Sequence, residues 1–266
     1  MRWFLGQRPH SLGYDRGINL GVEPTRAALV TGTRRIGGAI AGALAADGHD
    51  VAVVYRESRG QADLAAAAVR AAGRRAVVLQ ADLAEPAACR SLVDAAAEAL
   101  GGLSAVVLAA SRFDRLTFDA LDAAAWDRAM AVDLDASFHC AQAAIPHLRR
   151  AGGGHIVLFS DWVAASGRPR YRGYLPYYVA KRGVAALGEA LALELAADRI
   201  HVHVVAPGPI LPVAGSTPQE QAAVLAATPL GHWGGEDEVA RTVVALIGST
   251  FVTGETVRVD GGRHLR

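Results

Sequence analysis

Thr31-Gly32-Thr33-Arg34-Arg35-Ile36-Gly37-Gly38 joins a short apolar run to an alanine-rich stretch, and this junction decides the fold class. The run before it, residues 27–30, is typical of a buried strand, and the stretch after it, residues 36–47, is typical of a helix. Glycines let a backbone approach a pyrophosphate closely, and the N-terminus of a helix offers unpaired N–H groups and a positive dipole. The junction therefore predicts a strand–turn–helix unit that binds phosphate.

The same alternation of strand-like and helix-like patterns continues towards the end of the chain. Further strands are predicted at residues 51–55, 76–79, 105–108, 155–159, 200–205 and 256–259, and helices near 36–47, 60–72, 86–100, 122–150, 177–197 and 236–247. Most of the strand-like runs are continuously apolar, as in a parallel sheet that is covered on both faces. The pattern predicts an α/β chain with a Rossmann-type, doubly wound parallel sheet of about seven strands and helices on both faces.

We expect residues 26–266 to form a single domain that carries both the nucleotide site and the catalytic site. Residues 1–25 contain several glycines and prolines and lack the apolar segment of a signal peptide. They are therefore expected to be a loosely ordered N-terminal extension. The proline- and glycine-rich segment 207–218 is predicted to be a mobile loop over a site.

Composition argues against several classes of partner. The 266 residues carry a formal net charge of +1, which gives no electrostatic reason to expect nucleic acid or an anionic membrane. Two cysteines without a pairing pattern favour a reducing, cytoplasmic location, and no apolar run reaches the roughly 18 residues of a membrane span. His201 and His203 alternate along a predicted strand, but no third ligand is spaced nearby, so we expect no metal site.

Lys181 is the single lysine among 27 lysine and arginine residues, and it lies four residues after Tyr177. Residues four apart share one face of a helix, so the ammonium is expected beside the Tyr177 phenol. A neighbouring cation favours phenolate and lowers the pKa of the hydroxyl, which suits a general acid or base. A solvated lysine that lies near a tyrosine by chance would show the same spacing.

Taken together, the motifs resemble the short-chain dehydrogenase/reductase family over nearly all of residues 26–265. The motifs that carry the resemblance are the phosphate turn, Ala81-Asp82-Leu83, Tyr177 with Lys181, Ala206-Pro207-Gly208-Pro209-Ile210, Val252-Thr253-Gly254 and Val259-Asp260-Gly261-Gly262. They follow one another in the family's order. The resemblance implies hydride transfer between NAD(P)H and a carbonyl, imine or alcohol.

By this resemblance Tyr177 donates a proton to the substrate oxygen, while Lys181 lowers the Tyr177 pKa and binds the nicotinamide ribose. The cofactor-binding residues that it implies are Gly32, Thr33, Arg34, Arg35, Ile36, Tyr55, Arg56, Asp82, Leu83, Ala109, Ala110, Tyr177, Lys181, Pro207, Gly208 and Ile210. An arginine at the tip of the second strand accommodates the 2′-phosphate of NADP, whereas an acid would bind the 2′-hydroxyl of NAD. Arg56, with Arg34 and Arg35 nearby, therefore favours NADPH over NADH; an Arg56 that merely faces solvent is the alternative.

Four positions depart from the family pattern. The phosphate turn is one residue short, and Leu108-Ala109-Ala110-Ser111 stands where the family has Asn-Asn-Ala-Gly. Asp133 stands where the family has an asparagine that helps to hold a water. Asp161 replaces the usual catalytic serine, with Ser160 one residue earlier.

Ser160 and Asp161 should point to opposite faces of their strand, so only one of them should face a substrate. We favour Asp161 as the third catalytic group, because it resembles the aspartate that pteridine reductases have at this position. A helix cap or an ion pair with Arg168, Arg170 or Arg172 is its alternative role.

The resulting hypothesis is an NADPH-dependent oxidoreductase that reduces a small-molecule carbonyl, of the ketone or 3-oxoacyl type, or the C=N bond of a pterin. An NADP(H)-binding sensor or regulator and a non-redox acid/base enzyme are the alternatives. A homodimer or homotetramer is also expected, with helix 122–150 and an apolar stripe on helix 177–197 at the interface. The stripe consists of Ala180, Val184, Leu187, Leu191 and Leu195. The alternative interpretation is that the stripe covers the sheet.

Overall fold

The computed structural model describes residues 26–266, and these form an α/β structure around one seven-stranded sheet. The strands are β1 (Ala27–Thr31), β2 (Asp50–Tyr55), β3 (Ala76–Gln80), β4 (Ala105–Leu108), β5 (Gly154–Phe159), β6 (Ile200–Pro207) and β7 (Thr256–Val259). They are ordered β3-β2-β1-β4-β5-β6-β7, and every neighbouring pair is parallel. The Rossmann-type parallel sheet predicted from the sequence is confirmed.

Helices connect the strands and cover both faces of the sheet. They are α1 (Ile36–Ala46), α2 (Arg59–Ala71), α3 (Pro86–Leu100), α4 (Ala123–Met130), α5 (Ala136–Arg150), α6 (Trp162–Ala165), α7 (Leu175–Leu195), α8 (Pro218–Ala226) and α9 (Glu236–Ile247). Helices α3, α5 and α7 pack on one face, and α1, α2 and α9 pack on the other. Every residue of β1 and β4 is buried, which explains why these strands are apolar without alternation.

The predicted helix 122–150 is not continuous. It consists of α4, a π-helical turn over Ala131–Asp135, and α5. The segment 207–218, predicted to be a loop, ends at α8, which the sequence prediction missed. Thr217 caps α8, because its side chain accepts a hydrogen bond from the Glu220 N–H while the Glu220 carboxylate accepts one from the Thr217 N–H.

The apolar stripe on α7 faces the sheet. Ala180, Val184 and Leu195 are buried, and Leu187 and Leu191 pack against the same core cluster. The structure therefore supports the other interpretation, that the stripe covers the sheet, while Leu187 and Leu191 are only partly buried. Its role between subunits stays a prediction.

The predicted extension over residues 1–25 lies outside the described residues. Within residues 26–266, no helix is long and apolar enough to cross a membrane. The same range contains no group of three or more histidine, cysteine, aspartate or glutamate side chains placed to hold a metal ion.

Three histidines stack across the amino-terminal ends of β5 and β6. The His155 Nδ1 and His203 Nε2 atoms are 3.2 Å apart, and the His155 and His201 rings stack with their centroids 5.0 Å apart. Burial, reinforced by the neighbouring histidines, lowers the pKa of His155 and of His203 to about 4.

These histidines predict a loss of stability in mild acid. In the unfolded chain a histidine binds its proton near pH 6.5, whereas the folded His203 binds it near pH 4, so the unfolded state binds more protons between these values. The free energy of unfolding should therefore fall by about 3 kcal/mol for His203 as the pH falls from 6.5 to 4. Urea titrations across this range measure the slope.

His203→Leu should flatten this pH dependence, whereas His232→Gln, at an exposed position outside the stack, should leave it unchanged. An equally steep slope in the His203→Leu variant would show that the acid sensitivity arises elsewhere.

Candidate active site

The candidate site lies at the carboxyl edge of the sheet. The chain runs outward from β1 through β2 to β3 in one direction and from β4 through β7 in the other, so β1 and β4 flank the point where the strand order reverses. Ligands of open parallel sheets bind in the crevice at this point. The phosphate turn follows β1, and the segments after β4 and β5 carry the polar groups described next.

Tyr177 and Asp161 are brought together from different elements. Asp161 follows β5, and Tyr177 lies in the first turns of α7; the Tyr177 hydroxyl donates a hydrogen bond of 3.1 Å to Asp161 Oδ2. The other carboxylate oxygen, Oδ1, accepts a hydrogen bond of 2.7 Å from the Val163 N–H and so caps α6. Asp161 is therefore both a helix cap and the partner of Tyr177.

Ser160 points away from the candidate site. It is buried, and its hydroxyl donates a hydrogen bond of 2.8 Å to the backbone carbonyl of Lys181. This contact fixes α7 against the end of β5. The sequence offered both Ser160 and Asp161 as the third catalytic group. In the structure Asp161 contacts Tyr177, whereas the Ser160 hydroxyl contacts the α7 backbone.

Lys181 is buried beneath Tyr177. Its ammonium donates a hydrogen bond of 2.9 Å to the Phe159 carbonyl and lies 3.5 Å from Asp133 Oδ1. The Nζ atom is 5.7 Å from the centre of the Tyr177 ring. The pair thus shares one face of α7, as the four-residue spacing predicts.

Asp133 lies in the π-helical turn and is also buried. Its Oδ1 atom accepts hydrogen bonds from the Ser111 hydroxyl and, at 3.0 Å, from the Arg112 N–H. The Oδ2 atom is buried and makes no hydrogen bond within residues 26–266. Asp133 therefore connects the segment after β4 to the π-helical turn between α4 and α5. Such turns within helices often occur at functional sites.

The electrostatics of Tyr177 differ from the sequence prediction. Burial and the charges of Asp161 and Asp133 raise the pKa of Tyr177 well above its usual range. These effects outweigh any lowering by Lys181, whose ammonium is directed to Phe159 and Asp133 rather than to the phenol oxygen. The contribution of Lys181 itself stays a prediction. Burial also raises the pKa of Asp161 and of Asp133.

Aromatic side chains build a cleft beside the Tyr177 hydroxyl. The Phe113 ring stacks on Tyr174 at a centroid distance of 4.4 Å and meets the Tyr177 ring edge-on at 4.9 Å. The Leu116 N–H donates to the Gly173 carbonyl at 2.7 Å, which joins the segment after β4 to the one before α7. The cleft is small and is lined by Asp161, Val163, Ala164, Pro169, Arg170, Tyr171, Tyr174, Tyr177 and Tyr178.

The phosphate turn has the backbone geometry that a diphosphate requires. Gly32 adopts φ +76°, and a Cβ at this position would lie 2.7 Å from the Ala109 backbone. Helix α1 has no side-chain cap and no acidic residue in its first turn, so the N–H groups of Ile36 and Gly37 remain available to an anion, while the Gly38 N–H donates to the Arg35 carbonyl at 3.2 Å. Thr33 is buried and donates to the Val54 carbonyl at 3.0 Å, while Arg34 and Arg35 are exposed.

The residues at the ends of β2 and β3 lie beside the phosphate turn at the carboxyl edge of the sheet. Arg56 is exposed and forms an ion pair of 2.8 Å with Glu57, so it faces solvent with one acidic partner. Tyr55 is partly buried beside it. Asp82 is exposed and accepts a hydrogen bond of 3.1 Å from the Ala84 N–H, whereas Leu83 is buried.

Two further segments close the cofactor crevice. The Ala110 N–H donates a hydrogen bond of 3.1 Å to Thr31 Oγ1, which fixes Ala109 and Ala110 against β1. Past β6, the Gly208 N–H donates to Val259 at 2.9 Å, and a Cβ at Gly208 would lie 2.5 Å from the Asp260 Cβ. Pro207 ends β6, and the Ile210 side chain is buried in the core.

Comparison with known proteins identifies the chain. A family model described as enoyl-(acyl carrier protein) reductase matches residues 30–264. A 3-oxoacyl-[acyl-carrier-protein] reductase FabG of Staphylococcus aureus is 31% identical over 249 residues, which cover 92% of this chain and 100% of the relative. The chain belongs to the short-chain dehydrogenase/reductase family.

Other members of the short-chain dehydrogenase/reductase family show the same likeness. A cis-4-hydroxycyclohexanecarboxylate dehydrogenase of Sinomonas cyclohexanicum is 36% identical, with 89% of this chain and 96% of the relative covered. A short-chain dehydrogenase of Burkholderia cenocepacia, solved in complex with NADP, superposes with a TM-score of 0.82 at 35% identity. That match covers 89% of this chain and 96% of the solved one.

Sequence reasoning missed the residues that surround the Tyr177–Lys181 pair of this dehydrogenase/reductase. Ser111 and Arg112 hold Asp133, and Phe113 packs against Tyr171 and Tyr174, which line the cleft. Ser111, Arg112 and Phe113 directly follow β4 at the carboxyl edge of the sheet, and this position was the available signal. Tyr171 and Tyr174 were not missed in the same way, because the sequence predicts that an insert at residues 170–176 shapes the entrance to the pocket, and both tyrosines line the cleft.

Proposed function

We propose that this short-chain dehydrogenase/reductase uses NADPH to reduce a carbonyl group of a small molecule, with Tyr177 as the proton donor. The observation that carries the proposal is the Tyr177–Asp161 hydrogen bond of 3.1 Å, above a buried Lys181 and beside an open cleft. A sensor or a purely binding protein would not need this arrangement of a proton donor and its partner.

The residues of the crevice fit a dinucleotide. The uncapped start of α1 is suited to bind the diphosphate, and the buried Leu83 is suited to pack against an apolar ring. Tyr177 and Lys181 lie at the same carboxyl edge of the sheet. When bound, the nicotinamide supplies the hydride. Arg34, Arg35 and Arg56 provide positive charge where a 2′-phosphate would lie, and the relative solved with NADP supports this choice over NADH.

In the proposed reaction the protein supplies orientation and the proton. Tyr177 donates the proton to the carbonyl oxygen, and its raised pKa keeps it protonated over the physiological pH range. Asp161 orients the phenol by accepting its hydrogen bond at 3.1 Å. The Phe113–Tyr174 stack and Tyr171 exclude water from the reacting carbonyl.

A ketone is the substrate class that the cleft and the relatives support best. The relatives named above act on a 3-oxoacyl group and on a hydroxylated cyclohexane ring, according to their names. The aromatic lining of the cleft suits a flat or alicyclic ring attached to the ketone. A pterin C=N bond is the second candidate, favoured by the direct Asp161–Tyr177 contact and by the stacking surface of Phe113 and Tyr174.

The test is a panel of ketones, 3-oxoacyl thioesters and dihydropterins, with NADPH consumption and product formation measured for each. Turnover of a ring-bearing ketone would support the proposal, and turnover of pterins alone would favour the second candidate. Tight NADPH binding without turnover of any carbonyl or imine would favour the sensor, and conversion without NADPH consumption would favour a non-redox enzyme.

Arg56→Ala is expected to raise the Kd for NADPH about tenfold while the Kd for NADH changes little. One charge-assisted hydrogen bond to the 2′-phosphate is worth about 1.5–3 kcal/mol, and about 1.4 kcal/mol corresponds to a tenfold change in affinity. Isothermal titration with both nucleotides measures the two constants. Arg59→Ala removes an exposed arginine of α2 and is the matched control; equal effects of the two substitutions would contradict the assignment of Arg56.

We also propose that the enzyme is a homodimer or homotetramer. Val179 and Leu193 on α7 and Phe138 on α5 remain exposed and offer apolar surface for a second copy. Light scattering coupled to size-exclusion chromatography gives the mass in solution, and a monomer at micromolar concentration would contradict the proposal.

A further inference from the structure

Two carboxylates and one ammonium surround the Tyr177 phenol. We propose that Asp133 is a positioning residue that holds the Lys181 ammonium and opposes its effect on Tyr177, so that the site is set for proton donation and hence for reduction. This inference rests on the proposed function, because it concerns how the same tyrosine transfers its proton.

The first step of the argument is the position of the ammonium. Lys181 and Asp133 are both almost fully buried, with 3% and 1% of their side-chain surfaces exposed, and their charged atoms are 3.5 Å apart. The ammonium also donates to the Phe159 carbonyl at 2.9 Å. A buried cation with an anion this close has its field largely compensated by that anion, so less of it reaches the phenol.

The second step is that Asp133 is held as an acceptor. Burial is the largest effect and raises the pKa of Asp133 on balance, while the Lys181 charge, the Ser111 hydroxyl and the Arg112 N–H favour the carboxylate form. An asparagine at this position would keep an oxygen for the same donors but would carry no charge. Asp133 therefore contributes a negative charge that a neutral residue of the same shape would not.

The third step is the sum of the groups that face Tyr177. Asp161 approaches from the end of β5 at 3.1 Å, Asp133 from the π-helical turn, and the neutral phenol of Tyr171 from the segment before α7. Lys181 lies on the same helix as Tyr177. Arg170 lines the same cleft with its guanidinium over the Trp162 ring, and the Arg112 guanidinium is paired with Asp114 at 2.7 Å. The charged groups with the largest effects on Tyr177 are the two carboxylates, and both disfavour the phenolate.

The consequence concerns the direction of the reaction. Reduction requires a protonated phenol that gives its proton to the product oxygen, whereas oxidation of an alcohol requires a phenolate that accepts one. Groups that disfavour the phenolate raise the pH up to which the enzyme can catalyse reduction. They also raise the pH that is needed for catalysis of oxidation. The placement of Asp133 therefore favours the reductive direction.

The test is the pKa of Tyr177 in Asp133→Asn, measured by NMR of ring-labelled tyrosine with Tyr177→Phe to assign the signal. We expect the pKa to fall by about one unit or more, and alcohol oxidation at a fixed pH below that pKa to rise about tenfold. Asp127→Asn removes an exposed carboxylate of α4 and is the matched control. Asp133→Ser, which is smaller and also uncharged, replaces the asparagine variant if that protein does not fold.

An unchanged Tyr177 pKa in a folded Asp133→Asn or Asp133→Ser protein would overturn the inference, and so would an increase. The pKa is measured without cofactor or substrate. Failure to bind NADPH would therefore count against the proposed function and leave the inference about Asp133 intact. An unchanged Tyr177 pKa in an active reductase would overturn the inference and leave the proposed function intact.

Discussion

Tyr177→Phe is expected to lower kcat for NADPH-dependent ketone reduction by about 10²–10⁴-fold, because a positioned general acid contributes a factor of this size. Phenylalanine keeps the ring that packs against Phe113 at 4.9 Å and loses the hydroxyl that donates to Asp161. The fold and the affinity for NADPH should therefore change little. Single-turnover kinetics at saturating NADPH separate the chemical step from binding.

Tyr178→Phe is the matched control for this experiment, since it removes the hydroxyl of the neighbouring residue, which is not the one bonded to Asp161. It should retain most of the activity. A Tyr177→Phe enzyme with kcat within a few-fold of the wild type would show that another group delivers the proton.

Lys181→Met is expected to lower the free energy of unfolding by about 3–5 kcal/mol, because it leaves the Asp133 carboxylate buried without its ammonium. Methionine has nearly the length of lysine and fills most of the space, so the loss reflects charge more than packing. Asp133 has 1% of its side chain exposed, and water cannot replace the missing partner. Urea titration measures the change, and reductase activity should fall in the same variant.

The double variant Lys181→Met/Asp133→Asn should recover a large part of that stability, since no uncompensated charge remains. Arg149→Met is the control, because it breaks an exposed pair with Asp198 and should cost no more than about 1 kcal/mol. If Lys181→Met proved as mild as Arg149→Met, or if the double variant were no more stable than Lys181→Met, the buried pair would not have the energetic role assigned to it.

Most of the fold could be predicted from local sequence patterns. Strands such as β1 and β4 are apolar at every position because both faces of the sheet are covered, and this leaves a clear signal. The turn at Gly32 was predictable because its positive φ and the close Ala109 backbone require glycine, and the sequence shows a glycine there. Helix α8 was also predictable, since Thr217 and Glu220 form a capping box that the sequence analysis passed over.

The candidate site was harder to predict because its contacts join distant segments. Nothing local indicates that Ser111 bonds to Asp133, twenty-two positions away, or that Phe113 stacks on Tyr174. The four-residue spacing places Lys181 near Tyr177 but does not reveal the direction of its ammonium. That direction depends on the Phe159 carbonyl and Asp133, which come from other elements, and the sequence did not reveal that burial and two carboxylates raise the Tyr177 pKa on balance.

The most direct test of the proposed function is a titration of the purified protein with NADPH and with NADH, followed by energy transfer from tryptophan to the nicotinamide. We predict saturable binding of NADPH at micromolar or lower concentration and binding of NADH at least about tenfold weaker, consistent with one charge-assisted contact to the 2′-phosphate. A preference for NADH would contradict the roles of Arg34, Arg35 and Arg56. Failure to bind either nucleotide would contradict the proposal that this chain is an NADPH-dependent reductase.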